Sequence, residues 1–290
     1  MEISSQYVGT PLREYRTVIS WRDTMNYAAA LDDSNPLYFD DERKGGIIAP
    51  PLFAVAVTWP VIEHIGEYIE ASDFPREVLL TQVHFTEHLE FHRPLKPGDA
   101  LTVKGRIAAI LPRRAGTYVV MRFDAVDAEG APVFTEHIGA MMRGVVCAGE
   151  GRGNDALPQV PSSPGGTPLW ESPVFIDALR PFVYDGCSRI FFPIHTSRRF
   201  AHDVGLPDII LQGTATLGFA IRELINKEAG GDPRRVKALA CRFAGMVLPG
   251  TEITITLEAR EEGGRGLFFS VSDSAGTAVI KDGYALLDGE

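Results

Sequence analysis

Hydrophobic and polar positions follow the same order twice along the chain. In each half, a loop that carries a proline precedes apolar residues at helical spacing, and segments of alternating apolar and polar residues follow a Pro-Gly pair. The helical runs cover residues 52 to about 69 and 214 to about 226. Strand signals fall at 91–98, 101–107, 118–126 and 133–142 in the first half, and at 243–250, 253–259, 267–271 and 278–287 in the second. One long helix ahead of an antiparallel sheet, given twice, predicts an α+β protein of two helix-on-sheet units.

The segment between the two units, residues 149–173, is rich in Gly, Pro and Ser, a composition typical of a linker. We therefore expect an N-terminal unit at 1–148 and a C-terminal unit at 174–290. A linker of this length lets the second unit pair with the first as a pseudo-dimer.

The overall composition narrows the class of protein. With 290 residues, 45% of them hydrophobic and 23% charged, the chain is long enough for two modest cores and has the balance of an ordinary globular protein. A net charge of −10 argues against a general nucleic-acid or anionic-membrane surface. We expect a cytoplasmic protein, since no apolar run approaches the roughly 20 residues of a membrane span, the start lacks signal-peptide features, and three scattered cysteines form no disulfide framework.

The strongest chemical signal lies in the second half. His195 stands in a loop ahead of Gly213, which opens an apolar helix. A helix N-terminus offers unpaired N–H groups and partial positive charge that can hold a developing oxyanion. An imidazole nearby can move a proton at neutral pH. This pairing predicts acid–base chemistry on a carbonyl compound.

The same stretch resembles the MaoC-like (R)-specific enoyl-CoA hydratases and dehydratases, whose pattern runs roughly Asp-x-Asn-Pro-Ile-His and then Ile-x-His-Gly. Pro193-Ile194-His195 and Gly213 match it, and so does the step of eighteen residues between the histidine and the glycine. Three positions depart from it: Ile190 replaces the catalytic Asp, Phe192 replaces the Asn, and Gln212 replaces the His before the glycine. The resemblance implies that the chain is a fused double hotdog, in which two sheets each wrap a long helix.

An alignment of the two halves indicates that the catalytic residues lie in the second half. Tyr38 takes the place of His195 and is a poor base at neutral pH, since the unperturbed pKa of tyrosine is about 10. Pro51 takes the place of Gly213 and has no N–H to donate. The resemblance implies that the first half accommodates the acyl chain.

Two carboxylates can replace the missing acid. Asp185 precedes the histidine, as do Cys187 and Ser188, although all three are explained equally well as surface loop residues. Asp33, together with Asn35, sits in the first half where the family's acid and amide belong, although such a pair also favours loops and helix caps. A cysteine–histidine nucleophilic pair is not favoured by the spacing.

Ligand-binding candidates are fewer. The pairs Arg198-Arg199 and Arg234-Arg235 can hold the phosphates of coenzyme A, although an arginine pair is more often a solvated face. His84, His88 and His92 would share one face of a strand; no zinc spacing accompanies them, and a polar face explains them better than a metal. We expect no metal and no cofactor beyond the coenzyme A of the substrate.

The sequence thus predicts a hydro-lyase that adds water reversibly across the 2,3 double bond of an enoyl thioester. His195 would take a proton from water, the Gly213 N–H would hold the enolate-like oxygen, and the apolar Ile190 would keep the pKa of His195 below about 6.5. A hotdog thioesterase and a non-catalytic acyl-thioester binding protein are the alternatives. We expect a small-molecule acyl thioester as ligand and a homodimer of double hotdogs; chain length and the choice between coenzyme A and an acyl carrier protein stay open.

Overall fold

The computed structural model describes residues 1–289, and strands dominate it. The strands are β1 (Glu2–Ser4), β2 (Pro11–Val18), β3 (Gln82–Phe91), β4 (Ala100–Arg113), β5 (Gly116–Val126), β6 (Pro132–Arg143), β7 (Val146–Ala148), β8 (Trp170–Ile176), β9 (Val236–Phe243), β10 (Thr251–Arg260), β11 (Gly266–Asp273) and β12 (Ala278–Leu287). The helices are α1 (Trp21–Ala30), α2 (Pro36–Phe39), α3 (Phe53–Glu63), α4 (Ile65–Tyr68), α5 (Arg180–Ser188), α6 (Arg198–Asp203) and α7 (Gly213–Glu228).

One ten-stranded sheet runs through both halves in the order β2-β4-β5-β6-β3-β9-β12-β11-β10-β8. Read outward from the central pair β3 and β9, the two halves have the same order, so the sheet has a pseudo-two-fold axis at that pair. The central pair is antiparallel, with Thr86 opposite Arg242 and His88 opposite Ala240. This repeat confirms the α+β double hotdog expected from the sequence.

The two long helices provide the apolar layer under the sheet. In α7, ten residues from Thr214 to Ile225 are buried, so the helix is covered on most of its surface. It begins and ends within two residues of its predicted bounds. In the first half, the predicted helix over 52–69 is broken at His64, which separates α3 from α4. Pro60, inside α3, lacks an N–H and so weakens the last turn before that break.

Strands form at six of the eight predicted segments, and β12 has its predicted bounds. The expected strands at 91–98 and 243–250 are wrong. β3 and β9 instead end at Phe91 and Phe243, and the following residues form loops; in the first half, Pro94 and Pro97 cannot donate ladder hydrogen bonds. The outer strands β2 and β8 were not expected.

The segment expected as a linker lies between β7 and the second half. Its last residues already belong to β8, which begins at Trp170 and pairs with β10. The indole of Trp170 donates a hydrogen bond to Glu228 at the end of α7. The domain boundaries at 148 and 174 stay predictions.

Helices from the two halves also contact each other. The buried guanidinium of Arg180, on α5, donates to the carbonyl oxygen of Ala30 at 2.9 Å and pairs with Asp32. The hydroxyls of Tyr27 and Tyr184 lie 3.0 Å apart, both fully buried. These contacts hold α1 against α5 and fix how the halves meet. Within residues 1–289, none of the helices combines the length and the apolar character needed to cross a membrane.

Candidate active site

His195 closes a short 3-10 turn, Pro193–His195, directly before α6. Pro193 sets the first position of that turn, and the hydroxyl of Ser197 caps α6 by accepting from the Phe200 N–H. The His195 Nδ1 lies 2.8 Å from the carbonyl oxygen of Ile210. A carbonyl can only accept, so Nδ1 carries the hydrogen and Nε2 carries the lone pair.

That lone pair is available for chemistry. Among residues 1–289, nothing hydrogen-bonds to the His195 Nε2, and the atom is not sealed from solvent. Burial of the ring lowers its pKa to about 4, and the hydrogen bond to Ile210 only partly opposes this. The imidazole is therefore neutral at pH 7 and can accept a proton. The direction of this shift agrees with the expectation from Ile190.

The loop before α7 brings Gly213 to the same place. The N–H of Ile210 donates to Ile194, the residue before His195, and the N–H of Leu211 donates to Val247. Gln212 precedes α7 with extended dihedral angles, and its buried amide donates to the carbonyl of Pro181. The residue that replaces the family's histidine thus anchors the start of α7 to α5.

The first turn of α7 offers unpaired donors. The N–H groups of Ala215 and Thr216 both bond to the Gln212 carbonyl, whereas those of Gly213 and Thr214 have no acceptor within residues 1–289. Thr214 is buried and Gly213 is half-buried, so Gly213 is the more accessible donor. An N–H at a helix N-terminus suits a developing oxyanion.

Phe243 explains why position 213 is a glycine. A Cβ added to Gly213 would lie 3.0 Å from the Phe243 ring, which is tighter than ordinary contact. The ring of Phe243 also contacts the ring of His84, with ring centroids 4.5 Å apart. The sequence did not indicate Phe243 or His84 for this site. Phe243 follows Gly213 by 30 residues, and His84 belongs to the first half.

The family's acid has no replacement at hydrogen-bond distance. Ile190 is 2% exposed and packs in the core. Its N–H bonds to Ser188, whose hydroxyl also donates to Tyr184. Within residues 1–289, no carboxylate oxygen lies within 4.0 Å of a His195 ring nitrogen.

The two candidate acids lie elsewhere. Asp185, on α5, has a pKa raised by burial and then by the nearby Glu63 of the first half. Asp33 accepts from the Asn35 N–H, and Asn35 caps α2 by accepting from Leu37. Burial raises the pKa of Asp33. Asp33 and Asn35 thus serve as a loop and capping pair in this structure, and their catalytic assignment stays a prediction.

The first half has an open pocket beside the loop that leads to Tyr38. The Tyr38 side chain is fully buried, and burial raises its pKa well above 10. Beside it, Asp33, Asn35, Arg222 and Arg234 contribute to an open, polar pocket of about 670 Å³. Tyr38 cannot act as a base there, and Pro51 offers no N–H.

The two arginine pairs lie at different places. Arg198 and Arg199 are exposed at the start of α6, next to His195, and Arg198 pairs with Asp208 at 3.1 Å. Arg234 pairs with Asp232 beside the first-half pocket, and Arg235 donates to the carbonyl of Asp288. Their role in binding phosphates stays a prediction.

His84 does not share a face with His88 and His92, so the expectation of one shared face was wrong. The register of β3 shifts between His84 and Thr86, so a bulge turns His84 to the inner face. The rings of His88 and His137 meet edge to face, and His92 contacts Thr135, both on the other face. Within the described part of the chain, no three His, Cys, Asp or Glu side chains stand together as metal ligands.

Comparison with protein-family models matches both halves. Residues 6–136 match the description "FAS1-like, dehydratase domain region", and residues 162–279 match "MaoC like domain". The two matches leave only short segments uncovered, and the second includes His195 and Gly213. The second half of the chain, residues 162–279, belongs to the MaoC-like family, and residues 6–136 match the FAS1-like dehydratase region.

Individual relatives cover the chain to different extents. It is 28% identical to the peroxisomal enoyl-CoA hydratase 2 of Arabidopsis thaliana over 283 residues. This alignment covers 89% of this chain and 86% of the Arabidopsis protein. Over 205 residues, 70% of this chain, it is 29% identical to the peroxisomal multifunctional enzyme type 2 of Mus musculus, of which it spans only 27%. A MaoC-like dehydratase structure from Phytophthora capsici has a TM-score of 0.84 at 23% identity, covers 98% of each chain and shares the fold.

Proposed function

We propose that the protein catalyses the reversible hydration of a 2-enoyl thioester to the 3-hydroxyacyl thioester. One observation carries the proposal: the loops of His195 and Gly213 are bound to each other through Ile194 and Ile210, which puts a neutral imidazole and an unpaired helix N-terminus side by side. A base and an oxyanion donor are the two groups that addition of water to an enoyl thioester requires.

The geometry gives each group a step. His195 Nε2 takes a proton from water as the water oxygen attacks C3. The electron pair of the double bond moves toward the thioester carbonyl, and the Gly213 N–H donates to the oxygen that becomes negative. Such a donor contributes roughly 3 kcal/mol or more, and a positioned acid–base group about 10²–10⁴ in rate.

The surface around His195 suits an acyl thioester. The rings of Phe191, Phe192 and Phe200 are about two-fifths exposed, which is unusual for residues of this size. Arg198 and Arg199 lie in the same segment and carry positive charge. Exposed rings next to guanidinium groups can bind the apolar and the phosphorylated parts of a coenzyme A ester.

A thioesterase would place a carboxylate where it activates water at the carbonyl. Relatives named enoyl-CoA hydratase favour hydration over hydrolysis. Incubation with crotonyl-CoA, with enoyl absorbance and free thiol followed separately, distinguishes the reactions. Loss of absorbance without thiol indicates hydration, thiol release indicates hydrolysis, and neither signal indicates a binding protein.

The variant His195→Ala tests the assignment. We expect turnover to fall at least tenfold, the lower end of the range for a lost acid–base group, with the fold intact. The control is His202→Ala, which removes an exposed histidine from the same segment. An unchanged rate in His195→Ala with an active wild type would refute the role of the base.

Five finer proposals accompany this function. We propose coenzyme A as the carrier, no other cofactor, a homodimer of double hotdogs in the cytoplasm, and a first half that accommodates the acyl chain. Paired assays with coenzyme A and acyl-carrier-protein substrates, with and without chelator, test the first two. Light scattering and a fluorescent fusion test the assembly and the location, for which peroxisomes are the alternative given the names of the relatives.

A further inference from the structure

The pseudo-two-fold axis gives the working site a neighbour from the other half. The pair His88 and Ala240 lies on the axis, so Phe243 corresponds to Phe91 and His84 to Val236. In the first half, a small pocket is lined by Pro51, Phe91 and Val236 among others. The symmetry-related trio is Gly213, Phe243 and His84. His84, from the first half, therefore lines the site built by the second half.

Direct contacts agree with the symmetry. Phe243 lies close to Gly213, where an added Cβ would come within 3.0 Å of its ring, and the ring centroids of Phe243 and His84 are 4.5 Å apart. His84 is turned to this inner face only because of the bulge in β3, since residues 84 and 87 would otherwise point to opposite faces. Bulges of this kind re-aim side chains next to active sites.

His84 contacts the buried carboxyl of Glu87, and its side chain is partly exposed. Its Nε2 lies 3.2 Å from Oε2 of Glu87 and is sealed from solvent, whereas the side chain as a whole keeps 22% exposure. The Glu87 carboxyl is fully buried and adjoins the equally buried Glu136.

The two buried carboxyls call for a functional explanation. None of their four oxygens has a hydrogen-bond partner of good geometry within residues 1–289, and burial raises the pKa of both well above 4.5. Unpaired buried acids destabilise a fold, and a protein that keeps them commonly uses them. In its protonated state Glu87 carries a proton that can pass to the nearby His84 Nε2.

We propose that His84 is the second catalytic residue of this site and that Glu87 acts through it as a positioning residue and proton source. The assignment rests on the hydration reaction proposed above. As His195 takes the proton of the attacking water and the C3–O bond forms, His84 Nδ1–H gives its proton to C2, and Glu87 returns a proton to His84 Nε2. The products are the 3-hydroxyacyl thioester, a Glu87 carboxylate and a charged His195. Loss of one proton to solvent from His195 and uptake of one through His84 restore the starting state.

The variant His84→Ala tests the catalytic role. With crotonyl-CoA we expect kcat to fall at least tenfold while KM changes little, because the proton is delivered only in the transition state. Added imidazole should restore part of the turnover by occupying the vacated space, which a structural defect would not permit. Glu87→Gln should lower kcat as well, without rescue by imidazole. His88→Ala, on the outer face of the same strand, is the matched control and should keep its activity.

Several outcomes would overturn the assignment. Full turnover by His84→Ala, while His195→Ala is inactive, would refute His84 and leave the proposed function standing. Reduced turnover that imidazole does not restore would make His84 structural. If His84→Ala does not fold, His84→Asn replaces it. Normal turnover by His84→Asn would likewise refute the catalytic role of His84. An inactive wild type would overturn the proposed function together with this inference.

Discussion

Replacement of Glu87 by glutamine should make the protein more stable at neutral pH. The Glu87 side chain is 1% exposed and Glu136 is fully buried, and burial raises the pKa of both carboxyls well above the value of 4.5 that they have in an unfolded chain. The folded protein therefore holds protons that the unfolded chain releases. Glutamine has nearly the same shape and carries no titrating proton.

The size of the effect follows from proton linkage. A carboxyl whose folded-state pKa is raised contributes fully to stability below pH 4.5 and loses that contribution as the pH rises toward the folded value. Each pH unit above 4.5 costs about 1.4 kcal/mol for as long as the folded carboxyl stays protonated. Glu87→Gln removes this cost, so its advantage over the wild type should grow with pH.

Urea unfolding at pH 5 and pH 8, followed by tryptophan fluorescence, measures the free energy of unfolding in both proteins. The control is Glu90→Gln, which changes an exposed carboxyl on the same strand and should alter stability little at either pH. A difference between Glu87→Gln and the wild type that is the same at both pH values would refute the reasoning. So would a variant that is less stable than the wild type at pH 8.

Three further predictions concern the site itself. Ile190→Asp should raise the pKa of His195 above about 4 in an NMR titration, because a carboxylate favours the charged imidazole; an unchanged value would mean that residue 190 does not face the ring. Gly213→Ala should lower turnover severalfold in the enoyl-absorbance assay, since its Cβ would press on Phe243 at 3.0 Å; wild-type turnover would contradict this. The dependence of kcat/KM on pH should show no acid limb near 6.5, because His195 stays neutral down to about pH 4; half-maximal activity near pH 6.5 would oppose this.

The local pattern of apolar and polar residues was sufficient to predict most of the fold. The period of apolar residues predicted α7 to within two residues and gave the bounds of β12, because helix and strand periodicity are properties of neighbouring residues. The doubled order of helix and strands also predicted two similar units. The spacing of His195 and Gly213 indicated the family, since both lie in one continuous segment.

The tertiary structure decided which distant residues meet. The strands β3 and β9 pair across about 150 residues of sequence, and this pairing brings His84 to Phe243. The bulge that turns His84 inward, and the contact between Glu87 and Glu136, depend on strand register, to which no local pattern points. The sequence named Asp33 and Asp185 as substitutes for the lost acid by their place in the chain. Only the packed structure shows that neither of them pairs with His195, because side-chain proximity is set by the packing of whole elements rather than by position along the sequence.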